Sequence, residues 1–433
     1  MGHAERPNIL QIICHDLGQH VGCLGAGLAT PSIDALAAEG VLFDTYCCSA
    51  AQCSPSRGSI MTGLYPHNNG LIGLAHIGWE LNAGVRCLPH YLNDAGYQTH
   101  LFGGQHESAR SERVGYHHSH QTGHRAHQVA PAVASFLREY RGSGDSQPFY
   151  LNAGLTEPHR PYQQEGYRSD DPEAVTLLPW LPDRPGIRRD IADLNGLVYS
   201  VDDAVGSIHA ALADTGLNRN TLLIFTTDHG LAMPRAKGMS YDPGLKTVLI
   251  MRMPGRFEGG RRIDSLLTNC DFMPTLLEFA GAPAAEGIDG RSFLGLLDGT
   301  EYVPRESIFA EMTWHDKYNP MRAIRTERHK YVRNFGNRPL VYLPLDTYQG
   351  LAGREMREEC YGSLRPEEEL YDLEADPLET NNLAADPAHA ETLAALRGRV
   401  QGWMEETDDI LLHGDVPPTP EQAQRIAEWN EGN

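Results

Sequence analysis

The sequence predicts an α/β fold: a large, mainly parallel sheet covered by helices on both sides, continued by a smaller α+β unit. Three observations predict it. The run P-N-I-L-Q-I-I at residues 7–13 is apolar on both faces of an extended chain, as a strand in the middle of a parallel sheet must be. Strand-like and helix-like segments then alternate over roughly the first 230 residues. After about residue 300 the texture changes to short strand candidates joined by polar connections.

In chain order, the first strand opens at His15-Asp16. Thr30-Pro31-Ser32 starts a helix running to residue 38, Gly40 stops it, and residues 41–43 begin the next strand. Residues 88–95 read as helix, 98–102 as strand, 129–140 as helix, 149–153 as strand, 190–214 as a long helix and 221–226 as an apolar strand. The later strands are expected at 307–311, 321–326, 330–334 and 369–373, with a terminal helix at 390–406 and then a Pro-rich, loose tail. The boundary falls at residues 1–300 and 301–433. Ligands of parallel sheets bind beyond the carboxyl ends of the strands. His15-Asp16, residues 103–106, Glu157-Pro158-His159 and Asp228-His229 each follow a predicted strand, so one shared site is expected there.

The 433 residues carry 36 basic and 57 acidic side chains, a formal charge of -21. Such a surface disfavours nucleic acid and anionic membranes as partners, and an anionic substrate would need a locally basic pocket. No stretch approaches the ~18 apolar residues of a membrane span. The chain as given begins M-G-H-A-E-R-P and passes directly into a strand, so the expectation is a cytoplasmic protein. Its eight cysteines form no C-x-x-C pair, and most are expected to be reduced core residues.

Cys53 is the exception. It lies in A-Q-C-S-P-S-R-G-S-I-M-T-G, residues 51–63, and this run resembles the C-x-P-x-R signature of the sulfatase family. The resemblance implies an alkaline-phosphatase-like α/β sandwich, and oxidation of Cys53 to formylglycine by a formylglycine-generating enzyme, the maturation partner. A hydrated aldehyde carries two hydroxyls on one carbon: one attacks sulfur and the other expels sulfate, splitting one hard step into two. Arg57 at i+4 shares a helix face with Cys53 and is placed to steady the hydrate and a metal-bound carboxylate.

The family's Asp-Asp pair and its later Asp-Asn or Asp-His pair correspond here to His15-Asp16 and to Asp228-His229 in F-T-T-D-H-G. These four residues, with the oxidised Cys53, are the implied ligands of a divalent metal that polarises an ester oxygen. Calcium is the family expectation; because His15 stands where the family has Asp, manganese, zinc and iron remain open. The segment K-G-M-S-Y-D-P-G-L-K, residues 237–246, resembles the family's anion-holding run and implies that Lys237 grips sulfate. His159, in E-P-H-R-P-Y, matches the histidine contacting the same group, and His106 matches the one that bonds the formylglycine hydroxyl. The family lysine two residues before it is Gly104, with Gln105 as a candidate neutral replacement.

Residues 49–74, P-M-R-A-I-R-T at 320–326, E-L-Y-D-L-E-A-D-P-L-E-T-N-N-L-A at 369–384 and W-M-E-E-T-D-D at 403–409 resemble the sulfamidase branch, the N-sulfoglucosamine sulfohydrolases. His315, Tyr318 and Arg322 are candidates for gripping a sugar or carboxylate, or equally the polar edge of a strand. His100, His106, His117, His118, His120, His124 and His127 read as a solvated loop giving one histidine to the site, with a second metal centre as the alternative. The expected function is hydrolysis of a sulfate ester or sulfamate on an amino sugar. The alternatives are a phosphodiesterase or phosphonate monoester hydrolase of the same superfamily, and a non-catalytic anion- or glycan-binding protein.

Overall fold

The computed structural model of the chain describes residues 6–144 and 146–431. Its main sheet has eight strands in the order Arg261–Ile263, Val41–Phe43, Leu249–Arg252, Thr221–Thr227, Asn8–Cys14, Phe149–Gly154, Gln98–Gly103, His118–His120. Neighbours are parallel except around Leu249–Arg252, which is antiparallel to both its partners. The mainly parallel sheet is therefore present, with one reversed strand.

Asn8–Cys14 sits centrally and is buried along its whole length. Its side chains alternate between two cores. Leu10, Ile12 and Cys14 enter one core with the helices Ala126–Ser143 and Pro185–Asp214, which present Val129, Val133, Leu137 and Leu194, Val198, Val201 at helical spacing. Ile9 and Ile13 enter the other, against Ile60 of the helix Cys53–Thr62, Leu88 and Leu92 of Leu88–Asp94, and Phe272 and Leu276 of Phe272–Phe279. Each such side chain contributes about 1.5–3 kcal/mol relative to exposure, so the strand that carries His15-Asp16 is held rigidly from both faces. The long helix starts at Pro185, earlier than expected; proline at the first helical position is its start signal.

The four-stranded antiparallel sheet, Ser307–Trp314, Tyr318–Thr326, His329–Asn334 and Glu368–Asp372, packs Ile324, Tyr331 and Leu370 against Leu393, Leu396, Val400 and Trp403 of the helix Ala390–Glu406. The tail after it is not loose, contrary to the sequence expectation. Trp314 Nε1 donates to the Val416 carbonyl (3.0 Å), Thr419 Oγ1 to the Ile77 carbonyl (2.6 Å) and Trp79 Nε1 to Gln422 Oε1 (3.2 Å), and Pro420–Glu431 is helical. Anchors made of single long-range hydrogen bonds carry no periodicity for a sequence reading to find. Among the described residues no helix is long and apolar enough to cross a membrane.

Candidate active site

The helix Cys53–Thr62 starts at Cys53, after an extended Gln52, and all its residues are buried. Cys53 therefore stands at the positive end of a helix, and Arg57 shares its face one turn on. Arg57 Nε donates to Asp228 Oδ2 at 3.0 Å and Nη2 to the Cys14 carbonyl at 3.2 Å. Burial opposes ionisation of Asp228, but His229, His15 and Arg57 outweigh it and hold the carboxyl well below the usual range.

The segments after three strands close around this pair. Asp16 has a positive φ of 52°, a left-handed conformation costly for a non-glycine residue, which aims its carboxylate inward. The backbone N–H groups of Asp16 and His229 both donate to Asp228 Oδ1 at 2.9 Å. His15 Nδ1 lies 3.1 Å from Asp228 Oδ2, and His229 Nε2 lies 3.1 Å from Asp16 Oδ1 and 3.3 Å from Cys53 Sγ. His229 Nδ1 donates to the Gly230 carbonyl at 2.9 Å, so in the neutral ring Nε2 carries a lone pair. Burial would pull His229 down, but Asp228 and Asp16 outweigh it and hold the ring well above the usual range, so Nε2 carries a proton between Asp16 Oδ1 and the Cys53 sulfur, a place that suits a cation. Ligand atoms of His15, Asp16, Cys53 and Asp228 all lie within 4.8 Å of one another. These donors fit a divalent metal, and the imidazoles suit manganese, zinc or iron as well as oxygen suits calcium.

Around Cys53 the field favours an anion. Burial would raise its thiol pKa, yet Lys237, His229 and hydrogen bonds from His106 and His15 hold it well below the usual range. The same field would stabilise an oxyanion on an oxidised side chain at this position. His106 is pushed down to about 4 by burial and by His15, and is neutral near pH 7. Burial also pulls His159 down, but Asp16 outweighs it and holds the ring up to about 9. His159 Nδ1 donates to the Arg160 carbonyl at 2.6 Å, leaving Nε2 facing Asp16 Oδ2 and Asp346 Oδ2, each at 3.8 Å.

Lys237 is buried, as an anion clamp should be, but Nζ already donates to Asp16 Oδ2 at 2.8 Å and to Asp346 Oδ2 at 2.7 Å. Sequence reasoning missed Asp346. It lies in L-P-L-D-T-Y-Q, where Asp before Thr reads as an ordinary helix start. Glu107 was also missed: it is wholly buried, its Oε2 accepts from the His106 N–H at 2.8 Å, and its position directly after a site histidine was the available signal. Burial pushes its carboxyl up, opposed by Arg57.

Several expected roles are corrected. Gln105 does not stand in for the missing lysine, because its amide donates to the Ser108 carbonyl and its oxygen accepts from Glu107 and Ser108 N–H groups. Arg322 is not a substrate grip. It is fully buried, with Nη2 donating to Asp409 Oδ1 at 2.8 Å, Glu311 at 3.2 Å, and Nη1 donating to the Met312 and Met321 carbonyls at 2.9 Å. The Tyr318 hydroxyl is engaged by the tail, at Asp415 and the Val416 N–H. His315 is buried with Nδ1 2.8 Å from Asp316 and Nε2 without a hydrogen-bond partner among the described residues. Of the histidine-rich stretch, His100 stacks on His118 and His120 at the sheet edge. Among the described residues, no group of three metal-competent side chains draws on His117, His118, His120, His124 or His127.

Beside the site, a cavity of about 330 Å³ is lined by Arg160, Tyr162, Gln163, Asp346, Gln349 and Arg354. A larger groove, about 1000 Å³, passes Trp180, Lys246 and Arg325 and touches none of the groups around Cys53.

The sulfatase family model matches residues 7–282, and a model described as N-sulphoglucosamine sulphohydrolase, C-terminal, matches residues 229–343. An ulvan-active sulfatase of Formosa agariphila is 30% identical, over 99% of this chain and 79% of its own length. Human N-sulphoglucosamine sulphohydrolase is 28% identical over 94% of this chain and 91% of its own. A structure solved with its substrate, D-glucosamine-2-N,6-O-disulfate, superposes with a TM-score of 0.72 at 20% identity, covering 94% of this chain and 99% of the other, which shows the shared fold. With the C-S-P-S-R run at the start of a buried helix and the metal-competent cluster beside it, these matches make this chain a member of the sulfatase family.

Proposed function

We propose that this sulfatase hydrolyses the sulfamate or sulfate ester of an amino sugar, with Cys53 oxidised to formylglycine and a divalent metal held by His15, Asp16, Asp228 and His229. The observation that carries the reading is the position of Cys53: first residue of a buried helix, 3.3 Å from His229, within a group of metal-competent side chains. Formylglycine and the metal would supply a hydrated-aldehyde nucleophile and a Lewis acid. The remaining work falls to the chain's own residues. Arg57 fixes Asp228. Neutral His106, beside Cys53, is able to accept a proton, while Lys237 and protonated His159 offer N–H donors to an anionic sulfonate. His159 Nε2 can deliver a proton to a leaving atom, which matters most for the poor amine leaving group of a sulfamate.

The amino-sugar reading is supported by the C-terminal family match and the human relative, both named for N-sulphoglucosamine. The phosphoryl alternative draws on the two imidazoles near the metal group. A substrate panel decides between them. Protein with Cys53 oxidation verified by mass spectrometry is given sulfated amino sugars, aryl sulfates and phosphodiesters, and the sulfated amino sugars are expected to give the highest kcat/KM. Phosphodiesters outperforming every sulfated sugar would overturn the reading. Cys53→Ala should abolish turnover with folding intact, and anomalous scattering would identify the metal.

A further inference from the structure

We propose that Asp346 sets the linkage preference of this enzyme, accepting a hydrogen bond from the N–H of a sulfamate that an O-sulfate ester cannot offer. The inference rests on the sulfatase reading above and goes beyond it by naming the residue and the bond it selects.

The position of Asp346 is the starting point. Its Oδ2 lies 2.7 Å from Lys237 Nζ and 3.8 Å from His159 Nε2, the two groups that offer donors to a sulfonate. Lys237 and Cys53 are closed off, at 1% and 3% exposure, whereas the Asp346 side chain is 20% exposed and lines the cavity of about 330 Å³. The groups thus run from Cys53 through Lys237 and His159 to Asp346 and then to open space. A sulfonate held by Lys237 and His159 places its substituent at the cavity end of that series, beside Asp346.

The chemistry of a carboxylate at that point discriminates. It only accepts hydrogen bonds. The bridging oxygen of a sulfate ester carries no hydrogen, so it would face Asp346 acceptor to acceptor. A sulfamate nitrogen carries one N–H and meets the carboxylate as a donor. One group therefore rewards one linkage and penalises the other, which is the most effective form of selectivity.

Asp346 is also held in place for this role. Its Oδ1 accepts from the Thr347 N–H at 2.7 Å and the Thr347 hydroxyl at 3.3 Å, so Oδ2 alone turns to the site. The preceding Leu345 N–H donates to Asp316 Oδ2 at 2.6 Å, which anchors the segment. A carboxylate beside an anion clamp weakens binding of any sulfonate unless it recovers a hydrogen bond from the substrate.

The test compares glucosamine 2-N-sulfate with glucose 2-O-sulfate, which differ at the reacting position by N–H for O. The parent is expected to favour the N-sulfate. Asp346→Asn should lower the N-sulfate to O-sulfate ratio of kcat/KM about tenfold to hundredfold, the range for a charge-assisted hydrogen bond. Asp346→Glu should recover part of the preference. Calorimetry on unoxidised protein gives a readout without turnover: the parent should bind the N-sulfate more tightly, and Asp346→Asn should erase the difference. Equal losses on both substrates would show that Asp346 only steadies Lys237, and would overturn the proposal. A parent that turns over phosphodiesters but neither sugar would instead overturn the amino-sugar reading beneath it.

Discussion

Replacing Asp228 by Asn separates what that carboxylate does for the fold from what it does for a metal. Its Oδ1 accepts two backbone N–H groups at 2.9 Å, and its Oδ2 faces Arg57 Nε at 3.0 Å and His15 Nδ1 at 3.1 Å. An Asn oxygen can keep the two backbone donors, but its NH2 then meets the Arg57 N–H donor to donor. The guanidinium, fully buried and already short of a partner at Nη1, is left uncompensated. Breaking a buried pair in this way costs about 3–5 kcal/mol. Unfolding entropy near 2.1 cal/mol/K per residue gives about 0.9 kcal/mol/K for a chain of this length, so the Tm should fall by about 3–6 °C. The scan is run with chelator in both samples, which removes metal stabilisation from the comparison; metal content is measured separately without it and should fall as well. A chelated variant melting within a degree of the parent would refute the ion-pair argument. Full metal stoichiometry in the variant would refute the ligand assignment.

Three further outcomes are expected. Arg322→Ala should destabilise by about 3–5 kcal/mol in denaturant titration, because it strands Asp409 and Glu311, and should leave KM of the folded fraction unchanged; a raised KM with normal stability would restore a substrate role. Burial, partly opposed by Lys330, raises the Glu379 carboxyl from 4.5 to about 7, so its contribution is full below about 4.5 and is lost as pH rises through 7. Glu379→Gln should flatten the stability profile over that window by up to about 3 kcal/mol, and an unchanged slope would count against a protonated carboxyl. His15→Asp adds a negative charge beside Asp16 and Asp228, so divalent-metal affinity measured by chelator competition should rise; weaker binding would contradict this.

Much of the fold was legible because its signals are local. The buried central strand, the Pro31 helix start and the stripe of the helix Ala390–Glu406 each follow from spacing within one segment. The misses need partners distant in sequence. Nothing near Leu249–Arg252 shows that it runs antiparallel to both neighbours. The strand expected at 321–326 begins three residues earlier, at Tyr318, and Pro320 lies within it. The tail gives one carbonyl, one hydroxyl and one amide to tryptophans and a loop more than 100 residues away, and no periodicity announces such contacts.

The site divides along the same line. Cys53 opens a helix with Arg57 one turn on, and Asp16, Asp228, His229, His106 and His159 follow strands, which brings them together; Lys237 joins them from the irregular segment between Thr221–Thr227 and Asp242–Leu245. Asp346 had no local signal, since a carboxylate acquires meaning here only from what faces it, whereas Glu107 was marked only by its place directly after His106. His15, standing where the family pattern has Asp, removes one negative charge from the buried group around Asp228. A buried site is constrained chiefly by its charge balance, because uncompensated charge is what burial penalises. Lys237, bridging Asp16 and Asp346, is then the buried ammonium that serves both the metal carboxylate and the cavity mouth. That double duty explains why an acidic residue is tolerated beside an anion clamp, and why linkage selectivity can be built there without disturbing the charge of the core.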